Sequence, residues 1–532
     1  MTKKLVLLAA AFILFLCGLL PVLSMILGSL FLNGHLSFQA YKGILATGAR
    51  WHLFANSITL ATLVCISTTM IGVPLGLLLG RTDLPLSRFF TLFFSIPLFI
   101  PPYIVAISWD QLLGPLGMFG ILVSGHFMKV VHKMFFGLGG CVLVLSTIYL
   151  PIPMLLSITF SRNVNPRLEE AARLYLSWPK LLWKITTRLM VPGIFFSAIL
   201  VFVLVLGEFS VPSYLRYQVF SVEGFTSFSA TYDFKAATAN SIPISFLAIT
   251  LLLIEPLLLG KANFYTSGKV FENRFIIVPL RGMKTLALAV VLFLGSVVIL
   301  LPASGLIYAS LHTGLGAYIK ALFFAFNALY RSLVYSFIAA TILTVCGFFS
   351  GYLLMDGTVA GYRLVDVGGL FTFALPGTVI GMGLVHLWNN TWTQWIYGTM
   401  AIIVIGYVGR YFILPTRIVL AQLRMIPRSM EEAAQIAGLG WLGRIMKIVL
   451  PLSKRALLAA WLSSFIFCLR DIDVTMLVYP PGCETLPVRI FTLMANGEPS
   501  FISALCVMMV LAVSVPVLLL WYVFSKWQLR VK

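Results

Sequence analysis

Charge is what this 532-residue chain has least of: 10% of its residues are Asp, Glu, Lys or Arg, and only 17 are acidic. That scarcity excludes an ordinary soluble protein, in which about a quarter of residues are charged. Paired cysteines are missing too. Cys17, Cys65, Cys141, Cys346, Cys468, Cys483 and Cys506 are scattered with no Cys-x-x-Cys unit, so they read as small apolar filler. No Gly-x4-Gly-Lys-Ser/Thr loop is present to cradle a nucleotide; Ser267-Gly268-Lys269-Val270 comes nearest and fails. Neither a His-Glu-x-x-His helix nor a Gly-x-Ser-x-Gly elbow occurs, which argues against a membrane-embedded hydrolase. His126 and His132 share a loop but lack the spacing and companion ligands of a zinc site. The sequence thus implies no metal site and no cofactor of its own.

What fills the chain instead is apolar sequence, 60% of all residues. About twelve runs are long enough to cross a ~30 Å hydrocarbon core. They cover roughly residues 5–32, 57–80, 90–113, 137–160, 193–213, 240–260, 283–311, 332–355, 364–388, 398–421, 453–470 and 500–525. Charges crowd the ends of the fifth and eleventh. The first follows Lys3 and Lys4 but has no small-x-small cleavage site, so it reads as a retained anchor.

The net charge of +20 follows topology rather than nucleic acid. With the N-terminus in the cytoplasm, about 26 of the 37 Lys and Arg fall on that side and about 10 on the other. Arg410 lies within a span. Lys526, Arg530 and Lys532 then place the C-terminus in the cytoplasm as well.

The chain also reads as a duplication. Asn56-Ser57-Ile58-Thr59-Leu60 opens the second span and Arg331-Ser332-Leu333-Val334 the eighth, about 275 residues later. The same offset carries Ile100-Pro101-Pro102 onto Leu375-Pro376-Gly377. At an offset of about 262, Glu169-Glu170-Ala171-Ala172 meets Glu431-Glu432-Ala433-Ala434, and Leu206-Gly207-Glu208-Phe209-Ser210 meets Leu469-Arg470-Asp471-Ile472-Asp473. The expected division is a first repeat over 1–265, a polar cytoplasmic linker over 266–282 and a second repeat over 283–532. Parallel repeats of six spans place a path between the halves.

The Glu-Glu-Ala-Ala stretches are polar islands between apolar helices. In the second, within 422–452, two acids at a helix start complement the dipole, and Ser429 stands as a potential cap. Ala433, Ala434 and Ala437 allow close approach by another surface. Gly438 and Gly440 supply a turn, and Trp441, Ile445 and Ile448 recur at helical spacing before Leu450-Pro451. Glu432 through Pro451 fit Glu-Ala-Ala-x3-Gly-x9-Ile-x-Leu-Pro in full. That pattern resembles the coupling loop of bacterial ABC-transporter permeases, on which a separate ATPase docks. The first loop, within 162–192, keeps Glu170-Ala171-Ala172, but Leu176 stands where glycine is expected and Pro192 comes late. Its turn should differ, and the two docking contacts should be unequal.

Further stretches resemble the double-length permeases of the iron(III) and thiamine type. They are Arg81-Thr82-Asp83-Leu84-Pro85, Ala374-Leu375-Pro376-Gly377-Thr378-Val379-Ile380-Gly381, and Leu477-Val478-Tyr479-Pro480-Pro481-Gly482 with Thr485-Leu486-Pro487-Val488-Arg489-Ile490. The last two are closer to the ferric branch. The resemblance implies an all-α polytopic membrane protein, about 12 transmembrane helices in two parallel six-helix repeats of the type I ABC importer permease kind. It further implies two copies of a cytoplasmic ATPase that carry ATP and Mg, a periplasmic binding protein that delivers cargo, and a place in the bacterial inner membrane. The cargo so implied is ferric iron, with thiamine or another small solute as the alternative. A twelve-span secondary carrier would show the same repeats but needs no docking knob.

Charges inside spans mark a path or an interface. Glu208 and Asp471 are equivalent, with Ser210 and Asp473 two residues on. Two readings stand: these acids line a cation path, with Arg470 pairing Asp471 or Asp473, or they reach water at the outer span ends. Arg410 reads as an interhelix hydrogen-bonding group, Asp110 as interfacial and Glu255 as a helix-end residue. Pro101-Pro102 and Pro376-Gly377 break their helices, either as gate elements or as packing kinks.

Overall fold

A backbone in lipid must close its hydrogen bonds internally, so the long apolar runs become helices. The computed structural model describes residues 2–32, 35–36, 48–115, 117–119, 126–232, 234–259, 275–311, 314–357 and 361–529. Ser267–Val270, most of the 266–282 linker, Arg530, Lys532 and the side chains of Glu255 and Lys526 lie outside those residues.

Among them, nine helices are each long and apolar enough to cross a membrane, and three bent pairs raise the number to as many as 12. In chain order they are span 1 Lys4–Leu30, span 2 Arg50–Arg81, span 3 Ser87–Phe99 with Pro102–Leu113, span 4 Leu138–Arg162, span 5 Trp178–Gly207 and span 6 Phe234–Leu252. Span 7 is Arg281–Leu311, span 8 Tyr318–Asp356, span 9 Tyr362–Ala374 with Gly377–Trp388, span 10 Ala401–Tyr411 with Ile413–Leu423, span 11 Trp441–Leu469 and span 12 Pro499–Leu518. The fold is all-helical apart from a two-residue ladder, Phe31–Leu32 against His35–Leu36, and one isolated bridge.

Proline decides where spans 3 and 9 fail. Their two parts meet at 100° and 105°. Pro101 and Pro376 take nearly the same extended conformation, φ −54°, ψ 134° and φ −52°, ψ 137°. Proline in the second part of a break removes an amide that the first part needs, and it fits the first turn of the helix that follows.

The same devices recur in both halves. Spans 1 and 7 each contain one π-helical turn, at Phe15–Leu19 and Ser296–Leu300. Spans 5 and 11 each contain another, at Leu182–Thr186 and Ile445–Val449. The Ser57 hydroxyl donates to the Leu53 carbonyl and accepts the Phe220 amide at 3.0 Å. Ser332 donates to Ala328 and accepts the Leu486 amide at 2.7 Å. Each serine thus ties a long span to the first amide of a later, shorter helix.

Lipid offers no hydrophobic force to drive helices together, so close approach of backbones does the packing. A Cβ on Gly18 of span 1 would lie 3.1 Å from the Gly409 carbonyl oxygen of span 10, and one on Gly383 of span 9 would lie 2.7 Å from that of Pro21. In the opposite sense, a Cβ on Gly305 of span 7 would lie 2.7 Å from Leu112 Cγ of span 3. Each half therefore lends its first span to the other. One apolar core joins Leu14 and Val22 to Val379 and Tyr407, and another joins Tyr103 and Ile107 to Leu306 and Leu505.

Candidate functional site

Span 5 ends at Gly207 and span 11 at Leu469, and the chain leaves the helix at the acids. Glu208 Oε1 accepts the Ser210 amide at 3.0 Å and the Ser210 hydroxyl at 2.5 Å. Asp471 Oδ1 accepts the amides of Val474 and Thr475 at 3.1 and 3.3 Å. Each acid so takes up amides at the start of the short helix that follows, Ser210–Tyr214 or Thr475–Val478. Glu208, Asp471 and Asp473 are 6%, 3% and 7% exposed, so none of them reaches water at a span end.

The expected ion pair forms with a different arginine. Arg410 Nη1 donates to Asp471 Oδ2 at 2.7 Å and Nη2 to Asp473 Oδ2 at 2.5 Å. Arg470, adjacent to Asp471 in sequence, turns away to the Leu98 carbonyl of span 3 and lies over the Phe467 ring. Neighbouring positions past a helix end point apart, and Arg410 arrives from another span at the level of the acids. Gly377 makes room for it: a Cβ there would meet the Arg410 guanidinium and lie 2.5 Å from Asp473 Cβ.

Glu208, Asp471, Asp473, Arg410 and Arg470 line one cavity of about 50 Å³, together with Pro102, Tyr149, Phe373 and Tyr411. That is space for a few waters or a small cation. Three carboxylates and two guanidiniums share it, which leaves one negative charge when all are ionised. Tyr411 donates to Asp471 at 2.7 Å, and Tyr149, its counterpart in the first half, faces Glu208 at 3.4 Å. Sequence reasoning missed both tyrosines, although they recur at the offset that relates Glu170 to Glu432. Among the described residues, no group of three His, Cys, Asp or Glu side chains is arranged to hold a metal ion. Asp110 is more than interfacial: it accepts from Tyr214 at 2.6 Å.

The two Glu-Glu-Ala-Ala stretches form helices Pro166–Arg173 and Arg428–Ile436. Each turns into a short helix, Trp178–Leu181 or Trp441–Arg444, continuous with span 5 or 11. The turns differ as the sequence implied. Gly438 has φ +82°, a left-handed conformation that suits glycine, while the first loop is one residue shorter between Ala172 and Trp178 and contains no such position. Ser429 does not cap its helix; the N-cap is Pro427, with no side-chain bond. In the first loop Asn165 accepts the Arg167 amide at 3.0 Å. Glu170, Ala171, Glu432 and Ala433 are exposed, as is Pro451. Ala172 and Leu450 are half-buried and Ala434 is buried.

Glu169 faces inward. It is fully buried against Arg81, whose guanidinium it pairs, and Thr186 donates to its other oxygen at 2.6 Å. Its counterpart Glu431 is half-buried and accepts from Tyr352 at 2.8 Å. The residue after Arg81 begins a strap. Thr82 bridges Val278, and the Asp83 carboxylate accepts the Leu280 amide at 2.8 Å and pairs with Lys284 at 2.7 Å. These bonds hold the Asp83 carboxyl below its ordinary range, with the Lys284 ammonium the largest cause.

Residues 343–529 match the family described as binding-protein-dependent transport system inner membrane component. The chain is 25% identical over 460 residues to a putative ferric transport system permease protein FbpB 1 of Haemophilus influenzae, covering 82% of this chain and 72% of that protein. It is 23% identical to the ferric transport system permease protein FbpB of Actinobacillus pleuropneumoniae, covering 86% and 68%. A half-length relative, the putative 2-aminoethylphosphonate transport system permease protein PhnV of Salmonella choleraesuis, is 25% identical over 38% of this chain. The family works with a separate ATPase and a substrate-binding protein, and its members carry transport rather than enzymatic chemistry. These matches place a domain of the binding-protein-dependent permease family in residues 343–529 and support a multi-pass inner membrane permease.

Proposed function

We propose that this permease imports ferric iron handed over by a periplasmic binding protein, driven by two copies of a cytoplasmic ATPase that hold ATP and Mg. The observation that carries the cargo is similarity to ferric permeases over 82% and 86% of the chain. The buried carboxylates support it, because a net negative cavity of small volume suits a small cation. Residues 1–265 and 283–532 are the two repeats, joined by the linker 266–282, with both termini in the cytoplasm.

Each ATPase copy docks on one coupling loop, through the exposed Glu170 and Ala171 or Glu432 and Ala433. Glu169, Ala172, Glu431 and Ala434 seat those helices, while Gly438, Leu450 and Pro451 shape the second loop. Glu208, Asp471 and Asp473 line the path, and the breaks at Pro101-Pro102 and Pro376-Gly377 gate it. Cells carrying the three-protein system should accumulate radiolabelled ferric iron in an ATP-dependent manner. The variant Glu208→Gln with Asp471→Asn should lose most of that uptake. Gradient-driven uptake without ATP, or parental iron uptake by the double variant, would sink the proposal.

A further inference from the structure

The two helix breaks have nearly the same geometry and unequal chemistry. In the first half, the carbonyl of Leu98 lacks its helical donor because the residue four positions on is Pro102. An unpaired carbonyl at a helix C-terminus inside a membrane is costly, and the dipole there favours a cation. Arg470 Nη1, from the second half, donates to that oxygen. The Phe467 ring, 4.7 Å from the guanidinium carbon, holds the side chain in place.

The corresponding site in the second half has no such crossing. Gly207 occupies the position equivalent to Arg470, and a Cβ there would lie 3.4 Å from Pro376 Cα. The arginine at the second break is Arg410, packed on Gly377 from the same half. Both guanidiniums thus belong to the second half, and only one spans the seam. Beside the first break lies an apolar cavity of about 130 Å³, lined by Pro97, Ile100, Ile104, Val298, Pro302 and Leu306. The break bolted by Arg470 therefore has empty space next to it.

We infer that Arg470 is a positioning residue, a latch that holds the two halves together at the path by capping the broken third span. The inference rests on the reading that the halves part at this seam during transport. When they do, the Leu98 carbonyl loses its donor and the first break is released, while Arg410 keeps the second break intact.

The test needs neither cargo nor ATPase. A Cβ on Gly207 would lie 3.9 Å from Pro376 Cβ, a separation at which two cysteines join without backbone movement. In membranes carrying the full chain with Gly207→Cys and Pro376→Cys, mild oxidation should link the halves rapidly. Adding Arg470→Met should slow that linking by about tenfold or more, and Arg470→Lys, which keeps a charged donor, by far less. Pro102→Ala restores an amide four residues after Leu98 and should make Arg470→Met nearly without further effect. Linking at the parental rate in Arg470→Met, or equal slowing in the Met and Lys variants, would overturn the latch. If Arg470→Met fails to accumulate, full additivity of Pro102→Ala with Arg470→Gln would overturn it instead. Iron uptake decides the cargo separately, so the two readings fail by different results.

Discussion

Arg81 and Glu169, 88 residues apart in sequence, form an ion pair with both side chains at 0% exposure. One is the last residue of span 2, the other lies on the first coupling helix. Removing one partner of a buried pair leaves an uncompensated charge and costs about 3–5 kcal/mol. Arg81→Met should therefore lower the unfolding midpoint in detergent strongly and release the ATPase from the first loop. Arg81→Met with Glu169→Met should cost much less than the sum of the single changes. An additive double variant would refute the pairing.

The second loop depends on a residue that the first does without. Any side chain at Gly438 meets a strained left-handed φ of +82°, although the space around it is open. Gly438→Val should weaken ATPase association several-fold, with the membrane domain folding normally. Leu176→Gly in the first loop should have little effect, since no left-handed position is present there. Pull-down of the ATPase from detergent extracts decides between the two.

The strap at Asp83 makes a pH prediction. Its folded pKa is depressed, so the tether is fully present above the ordinary carboxylate value and is lost as pH falls through the folded one. A spin label at Ile277, which is exposed, should be restrained at neutral pH and become mobile only below about pH 4. With Asp83→Asn it should be mobile at every pH. A label equally restrained in that variant would show that the Thr82–Val278 bridge suffices alone.

Much of this architecture was legible because its causes are local. A proline that cannot donate breaks a helix wherever it stands, so the bends in spans 3 and 9 follow from Pro101-Pro102 and Pro376-Gly377. Hydropathy gave the spans in order for the same reason. Partners across spans were another matter. Nothing in the neighbourhood of Asp471 says that Arg410 rather than Arg470 will meet it, because the choice depends on the packing of span 10 at Gly377. No local pattern in Arg81-Thr82-Asp83-Leu84-Pro85 marks Arg81 as a charge that is to be buried. The inward Glu169 and the outward Glu170 differ only in helical phase, and the phase is set by where the helix lands.

The crossing of spans 1 and 7 carries the last prediction. Hydropathy sets a span's length but not its neighbours, so two repeats of six spans read naturally as separate bundles. The close approaches Gly18 to Gly409 and Gly305 to Leu112 bind each first span to the opposite half. Residues 1–265 expressed alone should then leave span 1 without its partner surface and span 3 without span 7. Each half alone should be degraded or aggregate, while co-expressed halves should assemble and recover ATPase binding. Gly18→Leu in the intact chain should mimic this loss, because a bulky side chain forces span 1 off span 10; overpacking of this kind costs about 1–3 kcal/mol or more. Two halves that fold independently and associate weakly would show that the crossed contacts are dispensable.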